Sequence, residues 1–251
     1  MSDKPYLSVI IPAYNEEPNF NKGTIDEVPK YLEKQNYHYE ILIVDDGSDD
    51  KTAELAEEFA KKHKNIRVIK NPHQGKAETV KTGVEKSEGE IILFTDFDQA
   101  TPLDEIEKLL PYFPEYDIVI GSRQLPGAKR EKEPFHRHLM GLVFNIIVQI
   151  IAIRGIWDTQ AGFKAFKGDL AKNLFTKLKV YGQGKKVQGA LVTAFDVEIL
   201  FIAKKHGYKI KEVPIIWHHV SSLRVSPVKD SLRMLRDVIK IRLNDLKGIY
   251  K

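Results

Sequence analysis

The stretch Glu40-Ile41-Leu42-Ile43-Val44-Asp45-Asp46-Gly47-Ser48 decides the fold class. Its first five residues form a nearly continuous apolar run, which is typical of a strand buried on both faces of a parallel sheet. A polar turn that contains glycine follows at once. Residues 91–94 repeat the pattern, because Ile91-Ile92-Leu93-Phe94 leads into the acidic pair Asp96 and Asp98. These two runs predict an α/β fold with polar residues at the strand ends.

Strands and helices alternate through the first half of the chain. Further strands are predicted at residues 7–11, 66–69 and 117–120, and amphipathic helices at residues 19–35, 50–63 and 76–87. Ser48 and the two aspartates after it are typical of a helix start, because their side-chain oxygens cap free backbone N–H groups. The alternation predicts a mostly parallel sheet covered by helices, in which ligands bind outside the carboxyl ends of the strands.

The second half is less regular. Residues 121–138 contain glycine, proline and five lysines or arginines, and we expect a mobile basic loop there. Residues 139–153 form an apolar stretch of 15 residues, interrupted by two polar side chains. A bilayer span needs roughly 20 residues, so this stretch predicts a buried or interfacial helix. A second flexible loop is expected at residues 181–186.

Composition limits the class of protein. The chain has 251 residues, of which 42% are hydrophobic and none is cysteine. These values exclude disordered, collagen-like and disulfide-stapled chains, and they exclude zinc–thiolate sites and thiol nucleophiles. The first residues lack the apolar run of a signal peptide, and we expect a cytoplasmic protein.

Basic residues concentrate at the C-terminal end. Residues 201–251 hold 12 lysines and arginines against 4 acidic residues, a local charge of +8. Within them, residues 228–246 place apolar side chains on one helical stripe, with basic side chains on a stripe displaced by one residue. This basic amphipathic helix either docks on the protein's own core or lies on an anionic membrane surface.

Polar loops follow four of the predicted strands, at residues 12–16, 45–48, 71–76 and 96–98. Because they meet at one edge of the sheet, they supply carboxylates for a divalent cation, an aromatic ring for a base and a lysine for phosphate. Asp96 and Asp98 point the same way in an extended segment, and their oxygens suit Mg²⁺ or Mn²⁺. The alternative is a capping or turn role for one of the two aspartates.

Six motifs occur in order along the chain: Val9-Ile10-Ile11-Pro12-Ala13-Tyr14-Asn15-Glu16, Val44-Asp45-Asp46-Gly47-Ser48, Asp96-Phe97-Asp98, Gly121-Ser122-Arg123, Asp158-Thr159-Gln160-Ala161-Gly162-Phe163-Lys164 and Phe195-Asp196-Val197-Glu198. The first three resemble the signature of the inverting family 2 glycosyltransferases with a GT-A fold. The others resemble the polyprenyl-phosphate branch of that family, which includes dolichyl-phosphate glucosyltransferases and mannosyltransferases. The resemblance implies a Rossmann-like, mostly parallel sheet flanked by helices. We expect a catalytic domain at residues 1–215 and a basic helical extension at residues 216–251.

The resemblance also implies roles for matching positions. Nucleotide-sugar contacts are implied for Pro12, Tyr14, Glu16, Asp45, Lys76, Asp96 and Asp98. Asp98 would be the direct ligand of Mg²⁺ or Mn²⁺ on the diphosphate, with Asp96 beside it. Arg123 would meet the phosphates of the donor or the acceptor. Asp196 is a candidate base or orienting residue, with a structural role as the alternative.

A polyprenyl or dolichyl phosphate is the acceptor that the resemblance implies, and UDP-glucose or GDP-mannose is the donor. A lipid monophosphate has a second pKa of about 6, so near pH 7 it is largely dianionic and needs positioning more than deprotonation. Four basic side chains could position it: Arg123, Lys129, Arg130 and Arg137.

The apolar stretch and the C-terminal basic helix predict peripheral binding at the cytoplasmic face of the membrane, and no nucleic-acid partner is expected. Two other functions stay open. One is a glycosyltransferase that adds sugars to a hydroxyl group of a polysaccharide or glycoconjugate. The other is a peripheral membrane-binding module without catalysis.

Overall fold

A twisted sheet organises the molecule, seen here in a computed structural model that describes residues 4–181, 193–220 and 227–251, with the backbone alone at residues 136, 137 and 227–229. The strands are β1 (Leu7–Ala13), β2 (Tyr39–Asp45), β3 (Ile66–Lys70), β4 (Ile91–Thr95), β5 (Ile118–Ser122), β6 (Lys129–Glu131), β7 (Phe163–Lys167), β8 (Ile210–Pro214) and β9 (Ile216–His218). Seven of them form the main sheet in the order β3-β2-β1-β4-β7-β5-β8, and β6 pairs with β9. Within the main sheet β7 runs antiparallel to both of its neighbours, and the other pairs are parallel. The predicted α/β fold is confirmed.

Helices cover both faces of this sheet. They are α1 (Glu17–Asn21), α2 (Glu27–Leu32), α3 (Thr52–Lys61), α4 (Lys76–Lys86), α5 (Phe135–Ile151), α6 (Gly168–Thr176), α7 (Phe195–Lys205) and α8 (Pro227–Leu246), with short 3₁₀ helices at Leu103–Lys108 and Leu110–Tyr112. Successive strand residues point to opposite faces. Ile10 of β1 therefore packs in the core beneath α4 to α8, whereas Val9 and Ile11 pack beneath α2 and α3.

The five predicted strands are present as β1 to β5, but the helix predicted at residues 19–35 is wrong as a single element. It is divided into α1 and α2. Gly23 lies between them with φ +67°, a left-handed conformation that glycine adopts readily and that no continuous α-helix contains. The apolar periodicity on both sides of the break had suggested one long helix.

The mobile basic loop expected at residues 121–138 is also corrected. This segment contains strand β6, which pairs in parallel with β9 from Lys129–Ile216 to Glu131–His218, and it contains the start of α5. A strand of three residues has no periodicity of its own, and its partner lies more than 80 residues along the chain. The loop expected at residues 181–186 falls, beyond Tyr181, outside the described residues.

Strand order sets the position of the candidate site. The order reverses between β1 and β4, and in open α/β sheets ligands bind outside the carboxyl ends of the strands at such a point. Because β7 is antiparallel, its first residue, Phe163, pairs with the last residue of β4, Thr95. The segment before β7 therefore reaches the same edge as the loops after β1, β2, β3 and β4.

The C-terminal helix shares the main core. Met234, Val238 and Ile241 of α8 lie in the same apolar cluster as α7, so this helix docks on the protein as well as presenting an outer face. The division predicted at residue 215 stays a prediction. Among the described residues, no helix combines the length and apolar character needed to cross a membrane.

Glu198 joins three parts of the second half. Its fully buried carboxylate accepts hydrogen bonds from the backbone N–H groups of Lys179 (2.7 Å), Val180 (2.8 Å) and Tyr181 (3.1 Å). The buried hydroxyl of Tyr250 donates to the same carboxylate at 2.7 Å. Burial raises the pKa of Glu198, and these four donors oppose that rise. Glu198 therefore has a structural role, which ties the segment before residue 182 and the C-terminus to α7.

We predict that Glu198→Ala lowers the free energy of unfolding by about 3 kcal/mol, because three partly buried backbone N–H groups lose their acceptor and each costs about 1 kcal/mol. Tyr250→Phe removes one donor and should cost about 1 kcal/mol. Urea titrations of both variants measure the difference. Tyr208→Phe is the matched control, since Tyr208 packs on the same core and its hydroxyl has no hydrogen bond within the described residues. Equal losses in the two test variants would contradict this account.

Candidate functional site

The loop after β1 is fastened to the loop after β2. The backbone N–H of Asn15 donates to Ser48 Oγ at 2.9 Å, and the N–H of Asp49 donates to Asn15 Oδ1 at 2.9 Å. Asn15 has φ +53°, and strained backbone of this kind is concentrated at functional sites. Tyr14 and Glu16, on either side of it, are half-buried and buried respectively.

Two other predicted nucleoside contacts lie at the same edge. Pro12 is half-buried in β1, in register with Val44 of β2. Asp45, the last residue of β2, is 3% exposed, and its carboxylate accepts from Ser48 Oγ (2.5 Å) and Ser48 N (3.3 Å). Of the three residues at the predicted helix start, Ser48 is bound to Asp45, and Asp50 contacts the first residue of α3, because its Oδ1 accepts from the backbone N–H of Thr52 at 2.9 Å.

Asp46 binds the loop after β3, a role that the sequence did not reveal. Its buried carboxylate accepts from the backbone N–H groups of Gln74 (2.9 Å) and Gly75 (2.8 Å), and it contacts His73 Nδ1 at 2.8 Å. The His73 ring stacks on Tyr14 with 4.1 Å between centroids and 7° between planes.

Lys76 and the acidic pair after β4 form the charged centre of the site. Lys76 Nζ lies 2.5 Å from Asp96 Oδ1. Burial opposes the charge on Lys76, but Asp96, Asp196 and Asp98 outweigh burial and raise its pKa. Burial, followed by the nearby Asp96, raises the pKa of Asp98 to about 6, and Glu16 adds to the rise. Five of the predicted site residues thus lie within electrostatic reach of one another.

The segment before β7 closes this centre from the other side. A Cβ on Gly162 would lie 1.9 Å from Asp96 Oδ2, so only glycine allows the backbone to approach the carboxylate this closely. Lys164 is fully buried, and its Nζ lies 2.7 Å from Asp196 Oδ1. Burial lowers the pKa of Lys164 despite that partner. Asp196 is therefore held by one lysine and faces a second, Lys76.

Arg123, after β5, is already paired. Its Nε and Nη2 donate to the carboxylate of Asp158 at 2.8 Å each, and its guanidinium lies 5.2 Å from the ring centroid of Trp217. Burial opposes its charge, but Asp158 more than compensates and raises the pKa of Arg123. Asp96 contributes to the same rise, so Arg123 lies within electrostatic reach of the β4 loop.

The other predicted acceptor contacts are distributed differently. Arg130 donates from Nε to the carbonyl of Arg123 at 2.9 Å and from Nη1 to Glu133 at 2.7 Å. Its Nη2 is buried and has no hydrogen-bond partner within the described residues. Lys129 is exposed on β6, and the side chain of Arg137 lies outside the described part of the chain.

Residues 158–164 stand out in the sequence only as a motif, which by itself indicates no role for its members. In the structure Asp158 pairs with Arg123 and Lys164 pairs with Asp196, whereas Gly162 packs closely against Asp96. The dense set of polar residues in this motif was the available signal. Asp46 and His73 had a weaker one, since each lies beside a predicted site residue or in a predicted site loop.

Asp96 and Asp98 fit a divalent metal ion as a donor set. No group of three or more acidic or histidine side chains gathers to hold a metal within residues 4–181, 193–220 and 227–251. Mg²⁺ and related ions are commonly bound through one or two carboxylates, with substrate phosphates and water completing the shell. The raised pKa of Asp98 reflects burial first and the neighbouring Asp96 second, and a bound cation would stabilise the charged form of both carboxylates.

A known protein family and several known proteins match this chain. The family described as "Glycosyl transferase family 2" matches residues 8–175. A dolichyl-phosphate beta-glucosyltransferase of Dictyostelium discoideum is 35% identical over 264 aligned positions, covering 99% of this chain and 77% of that protein. The human dolichyl-phosphate beta-glucosyltransferase is 33% identical and covers 98% of this chain and 77% of its own length.

Solved structures agree on the fold. Glucosyl-3-phosphoglycerate synthase from Mycobacterium tuberculosis, in complex with Mn²⁺, uridine diphosphate and glucosyl-3-phosphoglycerate, superposes with a TM-score of 0.64. The two proteins are 19% identical, over 97% of this chain and 80% of the other. The expected GT-A fold is confirmed.

We predict that Asp98→Asn stabilises the metal-free protein at pH 7.5 and not at pH 4. The pKa of Asp98 is about 6 in the folded protein against a reference value of 3.8, so native stability falls as pH rises from about 4 through 6. Removing the charge should restore about 1–3 kcal/mol above pH 6. Thermal unfolding across this pH range measures the gain. Asp104→Asn, at an exposed aspartate, is the control, and a gain that is constant with pH would contradict the assignment.

Proposed function

The chain belongs to glycosyl transferase family 2, and on that premise we propose that it transfers glucose from UDP-glucose to a dolichyl or related polyprenyl phosphate. One observation carries the proposal. In a chain 35% identical to a dolichyl-phosphate beta-glucosyltransferase, Lys76, Asp96, Asp98 and Asp196 converge at the carboxyl edge of the sheet. That cluster suits an anionic diphosphate and its counter-ion.

The donor is proposed from two sources. The relatives named above act on dolichyl phosphate and form a beta-glucosyl product, and the Mycobacterium tuberculosis enzyme was solved with uridine diphosphate. UDP-glucose carries its glucose in α-linkage, so a single displacement at C1 gives the β product with inversion. Tyr14 and Asp45 lie at the edge where the nucleoside would bind.

Leaving-group charge is the main electrostatic problem. When the bond between C1 and the diphosphate oxygen breaks, its electron pair remains on the diphosphate. Lys76 and Arg123 place two cations within electrostatic reach of the loop after β4, and fixed charges of this kind need no reorganisation during the reaction. Asp96 and Asp98 would hold a divalent ion, Mn²⁺ or Mg²⁺, which supplies further positive charge to the diphosphate when it is bound.

The acceptor needs no proton removed. A dianionic phosphate oxygen attacks C1 and forms the new bond as UDP departs, so charge and atoms balance without a general base. The N–H of Arg130 at Nη2, buried without a partner in the described residues, suits an additional anion. Asp196 is already paired with Lys164, and its proposed role is to orient Lys164 and Lys76 rather than to accept a proton.

Two helices support binding to an anionic membrane surface. Helix α5 exposes apolar side chains at Phe135, Leu139, Val143, Ile146 and Ile150. At 100° per residue all five fall within one narrow stripe. Helix α8, which contacts α5, exposes Leu232, Ile239, Leu243 and Leu246. Exposed apolar area of this extent marks an interaction surface. Arg236 and Lys240 on α8, and Lys247 directly after it, are exposed beside it and match acidic lipid head groups.

Radiolabelled donors distinguish the proposed reaction from its alternatives. We expect glucose transfer from UDP-glucose to a short polyprenyl phosphate in the presence of Mn²⁺, and a lower rate from GDP-mannose. Asp98→Ala should reduce the rate at least about a thousandfold, equivalent to about 4 kcal/mol of barrier. Asp104→Ala is the matched control. Transfer only to a hydroxyl acceptor, or full activity of Asp98→Ala, would contradict the proposal.

Vesicle sedimentation tests the membrane surface. The protein should bind vesicles that contain acidic lipids at low salt and be released at high salt, because screening weakens the contribution of the basic side chains. The double variant Ile150→Asp, Leu246→Asp should lose binding while its activity on a short, soluble acceptor is kept. Tyr112→Asp, an exposed aromatic side chain outside both helices, is the control. Unchanged sedimentation of the double variant would exclude this surface.

A further inference from the structure

We infer that Asp46 and His73 are positioning residues for the nucleobase of the donor, acting through Tyr14, an inference that rests on the proposed function. The observation that carries it is the stacked pair of rings at the end of β1. The ring centroids of Tyr14 and His73 lie 4.1 Å apart and the ring planes are within 7° of parallel, so the two rings stack face to face and form a two-layer aromatic platform. Nucleobases bind such platforms because every base has a π face.

The platform is fixed by buried contacts. Asp46 is 3% exposed, and its Oδ2 lies 2.8 Å from Nδ1 of His73, which sets the plane of the imidazole. The backbone N–H of Asp46 donates to the carbonyl of Ala13 at 2.8 Å, one residue before Tyr14. Asp46 therefore helps to position both rings. Its side chain contacts the His73 ring, and its main chain bonds to the residue before Tyr14.

Close backbone packing supports this arrangement. Gly47 has φ +67°, and a Cβ at this position would lie 2.9 Å from the backbone nitrogen of His73. The N–H of Asn71 also donates to the carbonyl of Asp45 at 2.8 Å. The loops after β2 and β3 thus pack as one unit, and only a glycine at position 47 lets them do so.

The same aspartate links the base to the phosphates. Its carboxylate accepts from the backbone N–H groups of Gln74 and Gly75, directly before Lys76 at the start of α4. Lys76 contacts Asp96. A nucleotide held on the Tyr14–His73 platform would then present its diphosphate to a lysine whose position is set by the same residue.

Two variants of His73 separate the ring from its hydrogen bond. His73→Asn keeps a donor for Asp46 but removes the ring, and His73→Phe keeps a ring but removes the donor. We expect isothermal titration with Mn²⁺ to give a UDP dissociation constant about tenfold higher for His73→Asn and about threefold higher for His73→Phe. Affinity for inorganic pyrophosphate should be unchanged in both, because pyrophosphate has no base.

Pyrophosphate distinguishes the positioning of the base from general damage to the site, because a destabilised loop would weaken the binding of both UDP and pyrophosphate. His63→Asn is the matched control, because His63 also contacts an aromatic ring, Phe59, but lies just after α3, outside the two loops. Two results would overturn the inference and leave the proposed function standing. One is an unchanged affinity of His73→Asn for UDP, and the other is an equal loss of affinity for UDP and for pyrophosphate. A wild-type protein that does not bind UDP would overturn the proposed function, and the inference with it.

Discussion

Charge buried at the edge of an apolar sheet has to be paired, and that constraint organises the candidate site. Two cation–carboxylate pairs satisfy it, Lys164 with Asp196 and Arg123 with Asp158, and a third, half-buried pair is formed by Lys76 with Asp96. Each pair joins segments far apart in sequence, so the charges also hold the loops in place. A lone charge in such surroundings would be strongly destabilising, whereas a paired one fixes the position of both partners.

Asp98 departs from this arrangement. Its carboxylate accepts one backbone hydrogen bond, from Ala100, and no cationic side chain bonds to it within the described residues. Its raised pKa is the result of burial and of the neighbouring Asp96. The ionised Asp98 carboxylate therefore makes the folded protein less stable than a neutral side chain at this position would. Functional sites commonly carry such a deficit, because the group that destabilises the free protein is the one that gains most from its ligand.

The outer face of the second half follows a different physical rule. Helix α5 is apolar on both its core side and its exposed side, which is unusual for a helix bounded by water. It begins four residues after β6, the strand that holds Arg130. A basic, partly unsatisfied site and an exposed apolar surface are therefore neighbours along the chain. A lipid phosphate is complementary to both, since its anionic head would suit the basic site and its long hydrocarbon tail the apolar surface.

Local sequence determined the five parallel strands, the polar loops after them and the family resemblance, because apolar periodicity and motif order are properties of short segments. It also located Lys76, Asp96 and Asp98. Tertiary structure alone decided that β7 inserts antiparallel between β4 and β5, which brings Gly162 against Asp96 and Lys164 against Asp196. It likewise decided the Tyr14–His73 stack and the pairing of β6 with β9. These contacts join residues dozens of positions apart, and no local pattern encodes which distant segment will be the neighbour.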